Sequence, residues 1–484
     1  MDERQLLLTI PLFFIGQPDI QAQHSTQKHP NLLIIITDQW RGQALGYLGI
    51  EPVKTPNIDR LAHEGIAFNN AISNIPLSSP ARGMLMTGLY PFGNGVTGNC
   101  VSTNTPYGVE LKENARCWSD ILKAEGYSLG YIGKWHLDAP FSPYVKTSNN
   151  TKESAWNEWC PPHRRHGFDY WISYGTYDRH LRPMYWNTEA GREDFFYVDQ
   201  WGPEYEADQA IEYINNQGNK RKNDQPFALV VSMNPPHTGY NLVPEKYRKL
   251  YENINLDSLC THPGIPAKGQ KMGNYYRDNI CDYYACMTGV DEQVGRITDA
   301  LKKKDLANNT IVVFTSDHGN MLGIHEQIAK NIYYEESVRI PLIISWPGQL
   351  QPRQDNHLLI GLADLYPTLL SFLGLKDKIP TEVQTYDLAK TIQTGKGTRP
   401  KFQPYYQINV ASPEIGCRGI RDERYTFVAE INKKGEKNYL LFDRQEDPYQ
   451  LTNIATQKPK LVKKYLHELR QWLKQTNDPA QYTL

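Results

Sequence analysis

At 484 residues the chain is too long for one small core and suits a large domain with a smaller one appended. Its 52 Lys and Arg balance 53 Asp and Glu, leaving a net charge of -1, so no long-range field draws it to nucleic acid or to an acidic membrane surface. The 31 Tyr and 10 Trp exceed the usual demand of a core, and aromatic faces of this kind stack on sugar rings as well as packing interiors.

In chain order, the apolar run LLLTIPLFFIG (6–16) followed by IQAQ reads as an export signal cleaved near Ala22, covering residues 1–23, although Asp2 and Glu3 depart from the usual positive start. That run is too short to cross a bilayer, and no later stretch of about 18 apolar residues follows, so no membrane span is expected. Strands buried on both faces are expected at NLLIIIT (31–37), YSLGYIG (127–133), PFALVVSM (226–233), TIVVFTS (310–316) and IPLIISW (340–346). Helical spacing of apolar residues covers 55–64, 117–125, 283–303 and 364–373. Such alternation predicts an α/β fold, a mostly parallel sheet covered by helices. Beyond Gly395 the pattern changes to GIRDERYTFVAEI, a polar KKGEK turn and NYLLFD, which predicts an antiparallel hairpin, with an amphipathic helix over 459–474 packed on it. The expected division is therefore a main domain at 24–394 and a smaller α+β subdomain at 395–484. The seven cysteines show no CxxC spacing, and their odd number prevents complete internal pairing.

Chemistry gathers where the strands end, the edge at which open α/β sheets bind ligands. Asp38 follows the first strand, Lys134 and His136 the second (GKWHLD), His237 the third (NPPHTGY), and Asp317 with His318 the fourth (SDHGN). Singly, each has a structural alternative as a cap, a satisfied partner or a turn; one sheet brings them all to one edge. Asp38, Gln39 and Asp317 offer hard oxygen ligands for calcium or magnesium, with His318 a less usual neighbour. Arg82, Lys134, His136, His237 and Lys330 suit an anionic ester with several oxygens. Residue chemistry alone leads to metal-assisted hydrolysis of a phosphate or sulfate ester and leaves both open.

The segment SSPARGMLMTG (78–88) resembles the sulfatase signature, in which Cys or Ser is followed by x-P-x-R and later T-G. GKWHL, HGFDYW, YYACMTGVDEQVGRI, FTSDHGNMLG, KNIYYEESVRIPLII and LFDRQEDPYQLTNIA are similar to further segments of the same family, in its order. The resemblance implies an alkaline-phosphatase-like fold with a smaller C-terminal subdomain. It also implies oxidation of Ser78 to formylglycine by a maturation enzyme, and a metal held by Asp38, Gln39, Asp317 and His318 beside the Ser78 side chain. Gln39 and His318 stand where relatives often carry Asp and Asn, which lowers the charge of the site. The implied mechanism is attack on sulfur by the hydrated aldehyde, in line with the departing alcohol. Arg82, Lys134 and Lys330 offset charge, His237 protonates the leaving oxygen, and His136 takes a proton from the second hydroxyl so that sulfate is expelled. Calcium is preferred to magnesium, because a site of protein oxygens without substrate phosphates favours the larger ion.

Serine at position 78 resembles sulfatases matured by an oxygen-independent radical enzyme in anaerobic bacteria, which points to a secreted or periplasmic bacterial protein. The aromatic stretch 156–201 is expected to form loops over the sheet edge, with His180, Arg182 and Trp186 as candidate sugar contacts. The expected substrate is a sulfated carbohydrate, such as a glycosaminoglycan or mucin fragment. Two alternatives stand beside it: formylglycine-dependent hydrolysis of phosphodiesters or phosphonates, and a non-catalytic protein that binds sulfated glycans.

Overall fold

The computed structural model describes residues 29–484; the expected export signal at 1–23 lies outside the described residues. An eight-stranded sheet runs in the order Arg353–Asp355, Ile66–Phe68, Leu342–Ser345, Thr310–Ser316, Asn31–Thr37, Phe227–Met233, Ser128–Lys134, Tyr170–Tyr174. Its central strand, Asn31–Thr37, pairs in parallel with Phe227–Met233 on one side and Thr310–Ser316 on the other. The unbroken apolar run has a direct cause. Leu33 and Ile35 enter one hydrophobic core, while Leu32, Ile34 and Ile36 enter another on the opposite face.

Four of the five expected strands are parallel to their neighbours, but Leu342–Ser345 runs antiparallel to Thr310–Ser316. Between Ser316 and Leu342 the chain forms only short helical turns, Ile324–Glu326 and Glu335–Val338, and an antiparallel return needs no long crossover helix. The long helix starts at Lys271 rather than Tyr283 and ends at Lys303. Its first turns carry Gly273, Asn274 and Asn279, which blur the apolar period. Gly273 is there because a Cβ would lie 2.1 Å from the Ala267 carbonyl oxygen.

The C-terminal region is a four-stranded antiparallel sheet, Gln403–Ile408, Gly416–Arg421, Tyr425–Ile431 and Lys437–Asp443. GIRDERYTFVAEI is thus two strands rather than one. Asp422 Oδ1 accepts the backbone N–H groups of Arg424 (2.8 Å) and Tyr425 (2.6 Å), folding the chain back on itself. Helix Pro459–Gln475 buries Tyr465, Leu469, Trp472 and Leu473 against this sheet. The same cluster takes in Met84 and Tyr90, so the small sheet braces helix Ser78–Thr87 from behind. All seven cysteines are unpaired.

One buried group in this framework has a measurable consequence. Glu206, 1 % exposed, accepts the Tyr185 hydroxyl (3.1 Å) and the Tyr174 hydroxyl (3.4 Å) on Oε1, and its Oε2 has no partner. Burial pushes its carboxyl up to about 8, against those two hydrogen bonds. The folded chain therefore binds a proton that the unfolded chain releases, so this stabilisation is complete below the ordinary value of 4.5 and is lost as pH rises to about 8. Glu206→Gln keeps an acceptor and removes the charge. It is expected to raise unfolding free energy at pH 8 by on the order of 2 kcal/mol and to flatten the dependence between about pH 5 and 8. Denaturant titrations across that range check this; a slope unchanged by the substitution would refute it.

Candidate active site

The ladder of the sheet sets the two key carboxylates side by side. Asp38 N–H donates to the Met233 carbonyl (3.1 Å), and Asp317 N–H donates to the Thr37 carbonyl (3.0 Å), so both side chains leave the same edge. Asp38, Asp317 and His318 are 0 % exposed and form the floor of the site. Gln39 adopts φ +70° immediately after the strand, and its N–H donates to Asp317 Oδ1 at 3.2 Å.

Ser78 is the first residue of helix Ser78–Thr87, whose N-terminal end carries the positive pole of the helix dipole. Its Oγ lies 3.1 Å from Asp38 Oδ2 and 3.1 Å from His318 Nε2. Ser79 fixes that helix start: its Oγ donates to the His136 carbonyl (2.7 Å) and accepts the Cys100 N–H (3.0 Å).

Arg82, one turn on, sits beneath the carboxylates. It donates to Asp317 Oδ2 (3.1 Å), the Lys134 carbonyl (2.9 Å) and Ser232 Oγ (2.6 Å), with Asp38 Oδ2 at 3.4 Å. Asp317 and Asp38 hold its guanidinium well above the ordinary range despite burial. Its charge is thus committed to the floor, and it is absent from the walls of the cleft above.

That cleft encloses about 720 Å³ and is walled by Gln39, Ser78, Lys134, His136, His237 and Lys330 among others. Lys134 Nζ reaches Asp38 Oδ2 (2.7 Å) and Asn234 Oδ1 (3.1 Å); Lys330 Nζ donates to Gln39 Oε1 (3.0 Å). His136 adopts φ +55°, and neither of its ring nitrogens has a hydrogen-bond partner among the described residues although both are buried. Burial, then Lys134 and Arg82, hold it below the usual imidazole range. His237 is lowered to about 4 by burial and then Lys330, with Asp178 acting in opposition.

The donor set on the floor fits a metal ion. One ligand atom each from Asp38, Asp317 and His318 lies within 4.8 Å of the others. His318 Nδ1 donates to the Gly319 carbonyl at 2.8 Å, which leaves the Nε2 lone pair facing both carboxylates, 3.4 Å from Asp38 and 3.5 Å from Asp317. Asp38 Oδ1 is buried with no hydrogen-bond partner among the described residues. Burial and the neighbouring Asp38 charge push Asp317 up, and a divalent cation would let the pair ionise together. Gln39 places its side-chain oxygen toward Lys330, which makes it the outer member of the expected ligand set.

Two residues of the site, Asp178 and Asn234, were not singled out in the sequence. Asp178 Oδ1 lies 3.1 Å from His237 Nδ1, and Asn234 and Asn149 each donate to Asp178 at 3.1 Å. Asp178 sits in the marked stretch 156–201 and Asn234 in NPPHTGY, but their pairing joins two distant loops. The three expected sugar contacts lie elsewhere. His180 is buried against the Thr238 carbonyl (3.0 Å), Trp186 is buried and donates to the Arg192 carbonyl, and Arg182 pairs with Asp199 at the surface. Trp156, Asp178 and Arg179 line the cleft instead.

A serine at a helix N-terminus over a buried carboxylate pair, ringed by lysines and histidines, defines a hydrolase of tetrahedral oxyanion esters. The chain belongs to the sulfatase family: the Sulfatase family model matches residues 30–375, and that of the N-sulphoglucosamine sulphohydrolase C-terminal region matches 323–478. It is 38 % identical to the endo-4-O-sulfatase of Bacteroides thetaiotaomicron, over 93 % of each chain. To the ulvan-active sulfatase of Formosa agariphila it is 34 % identical, over 89 % of this chain and 78 % of that one. A crystal structure of the sulfatase yidJ from Bacteroides fragilis superposes with a TM-score of 0.92 at 58 % identity, covering 96 % of this chain and 99 % of that one. The fold is the alkaline-phosphatase-like fold of sulfatases, whose members generally use a metal ion and a formylglycine.

Proposed function

We propose that the protein hydrolyses sulfate esters of a carbohydrate, of the glycosaminoglycan or similar glycan class, as an exported bacterial enzyme with its catalytic domain at 24–394 and its C-terminal subdomain at 395–484. The observation that carries this reading is the seat of Ser78, between Asp38 and His318 at the base of a cleft carrying two lysines and two histidines. The names of the relatives, an endo-4-O-sulfatase and an ulvan-active sulfatase, support a sulfated sugar.

Formylglycine at position 78, made by a maturation enzyme, supplies a hydrated aldehyde as nucleophile, and calcium held by Asp38, Asp317, His318 and Gln39 supplies electrophilic charge at the sulfate oxygens. Lys134 and Lys330 bind the sulfate group. Its arrival offsets the two ammonium charges around His237 and raises the affinity of that imidazole for a proton. Asp178 fixes His237 through Nδ1 and turns Nε2 toward the leaving oxygen, where it delivers the proton. His136, with both nitrogens unpartnered, takes up the proton released when sulfate departs. Arg82 is a positioning residue that pairs with both carboxylates and holds them adjacent.

Asp178→Asn tests the His237 assignment. Sulfate release from a sugar ester is expected to fall about 10- to 100-fold in kcat, with a much smaller loss for nitrophenyl sulfate, whose leaving group needs no proton. Equal losses on both substrates would count against the general acid.

The function itself is tested by peptide mass spectrometry across Ser78 on protein made with the anaerobic maturation system, paired with sulfate release from a panel of sulfated sugars. Loss of two hydrogens at Ser78 together with sulfate release is the expected result. Aldehyde without sulfate release would shift the reading to phosphorus esters, and absence of both would leave a glycan-binding protein.

A further inference from the structure

A second cavity, of about 690 Å³, opens between the main sheet and the C-terminal sheet. Its walls carry Arg41, Arg339, Arg421 and Arg444 against Glu51, Glu335 and Glu336, so the guanidiniums outnumber the carboxylates. Two of the carboxylates are fully used. Arg41 grips Glu51 with both nitrogens (2.7 and 2.6 Å), and Arg421 grips Glu335 in the same way (2.8 and 2.8 Å). The third, Glu336, lies 3.0 Å from His262 Nε2, outside hydrogen-bond alignment. His262 Nδ1 accepts the Gly264 N–H at 2.9 Å, so Nε2 carries a proton toward Glu336 and offers no lone pair to a metal.

This leaves cationic donors without partners. Arg421 Nη1 is buried and makes no hydrogen bond to the described residues. Arg444 donates to Thr426 Oγ1 (3.0 Å) and to the Asp422 carbonyl, but reaches the Glu335 carboxylate only at 3.8 Å. The Arg339 guanidinium has no hydrogen bond and no ion pair within 4 Å among the described residues, and its stem is held in place because Gly42 leaves room for Arg339 Cγ. Burial and the neighbouring Arg421 lower both Arg339 and Arg444, the latter to about 10, as expected where positive charge is crowded and incompletely matched. Beside these groups stand the amides of Asn69, Asn70 and Asn356, and the half-exposed faces of Ile50 and Tyr449.

We propose that this cavity is a second binding site for an anionic sugar unit, held through its sulfate or carboxylate by Arg339 and Arg421 and through its ring face by Tyr449. The sugar part rests on the function proposed above; the anion site does not. The two cavities share walls from the same segments: Gln39, Ala329 and Lys330 face the catalytic cleft, while Arg41, Gln43, Ile324 and Glu336 face this one. A glycan chain engaged here would be kept beside the cleft between turnovers, which favours polymeric over single-sugar substrates.

The test uses full-length Ser78→Ala protein in calcium buffer, titrated calorimetrically with a sulfated uronate hexasaccharide. Two binding events are expected. Adding Arg339→Gln should weaken one of them about tenfold or more and leave the other unchanged, and Arg339→Lys should restore part of it. Ile50→Glu, an exposed wall position, places a carboxylate in the mouth and should have the same effect if Arg339→Gln fails to fold. Competition by sodium sulfate identifies the sulfate as the recognised group, and binding of the unsulfated hexasaccharide identifies the carboxylate. A single event that neither substitution alters overturns the proposal. Sulfate release by the matured parent protein, with no second binding event in the Ser78→Ala protein, sinks this site alone, and a second event with no sulfate release by the matured parent sinks the catalytic reading alone.

Discussion

Ser78→Ala is expected to reduce sulfate release by about 10⁴-fold or more, because no neighbouring group can replace the oxidised side chain as nucleophile. Among the described residues Ser78 Oγ hydrogen-bonds only Asp38 and His318, and Asp38 Oδ2 keeps Lys134 at 2.7 Å and Arg82 at 3.4 Å when that hydroxyl is gone. The fold should therefore survive, with a change in stability within about 1 kcal/mol. Matched measurements of sulfate release and thermal unfolding decide the point. Near-normal turnover in the Ala protein would falsify the nucleophile assignment outright.

Asp317→Asn is the second large effect. The carboxylate faces His318 Nε2 at 3.5 Å, accepts the Gln39 N–H, and carries much of the counter-charge for Arg82. Asparagine preserves the shape but leaves Arg82 to Asp38 alone and removes one negative ligand. Bound calcium, measured by elemental analysis after dialysis, is expected to fall below stoichiometric, with activity down by about 10²- to 10⁴-fold and partly recovered in excess calcium. Unchanged metal content would refute Asp317 as a ligand, whatever happens to the rate. A chelator applied to the parent protein should reproduce the loss and reverse on adding calcium back.

Much of the site could be read from the sequence because its residues are tied to features with a clear signal. Asp38, Lys134, His136 and Asp317 directly follow or close strands whose continuous apolar runs mark them as central, and parallel pairing carries them to one edge. Ser78 and Arg82 lie one helical turn apart in a motif of fixed spacing. The sequence said less where geometry arises from contacts between loops. Asp178 sits in a stretch without periodicity and acquires its role only by meeting His237, while His180 and Trp186, more conspicuous by residue type, turned inward to hold that loop. An apolar run such as LIIS has no direction, so the antiparallel course of Leu342–Ser345 was not legible. The break at Asp422 carried a signal that the single-strand reading passed over: an acidic residue followed by two more charged ones inside a strand pattern marks a turn.

The bracing of helix Ser78–Thr87 by the C-terminal sheet has a consequence in time. Every residue of that helix is buried, Ser78 to 1 % exposure, and Met84 and Tyr90 share their cluster with Phe427, Leu469 and Trp472 near the end of the chain. Synthesis runs from the N-terminus, so residue 78 emerges long before the residues that close over its helix exist. If Ser78 is oxidised as proposed, the maturation enzyme would have its opening during that interval, while the segment is still an extended peptide. On that proposal, once Trp472 has packed, only the cleft leads to this side chain and the helix no longer offers itself as an extended peptide, so a molecule that folded with plain serine would have to unfold to be matured.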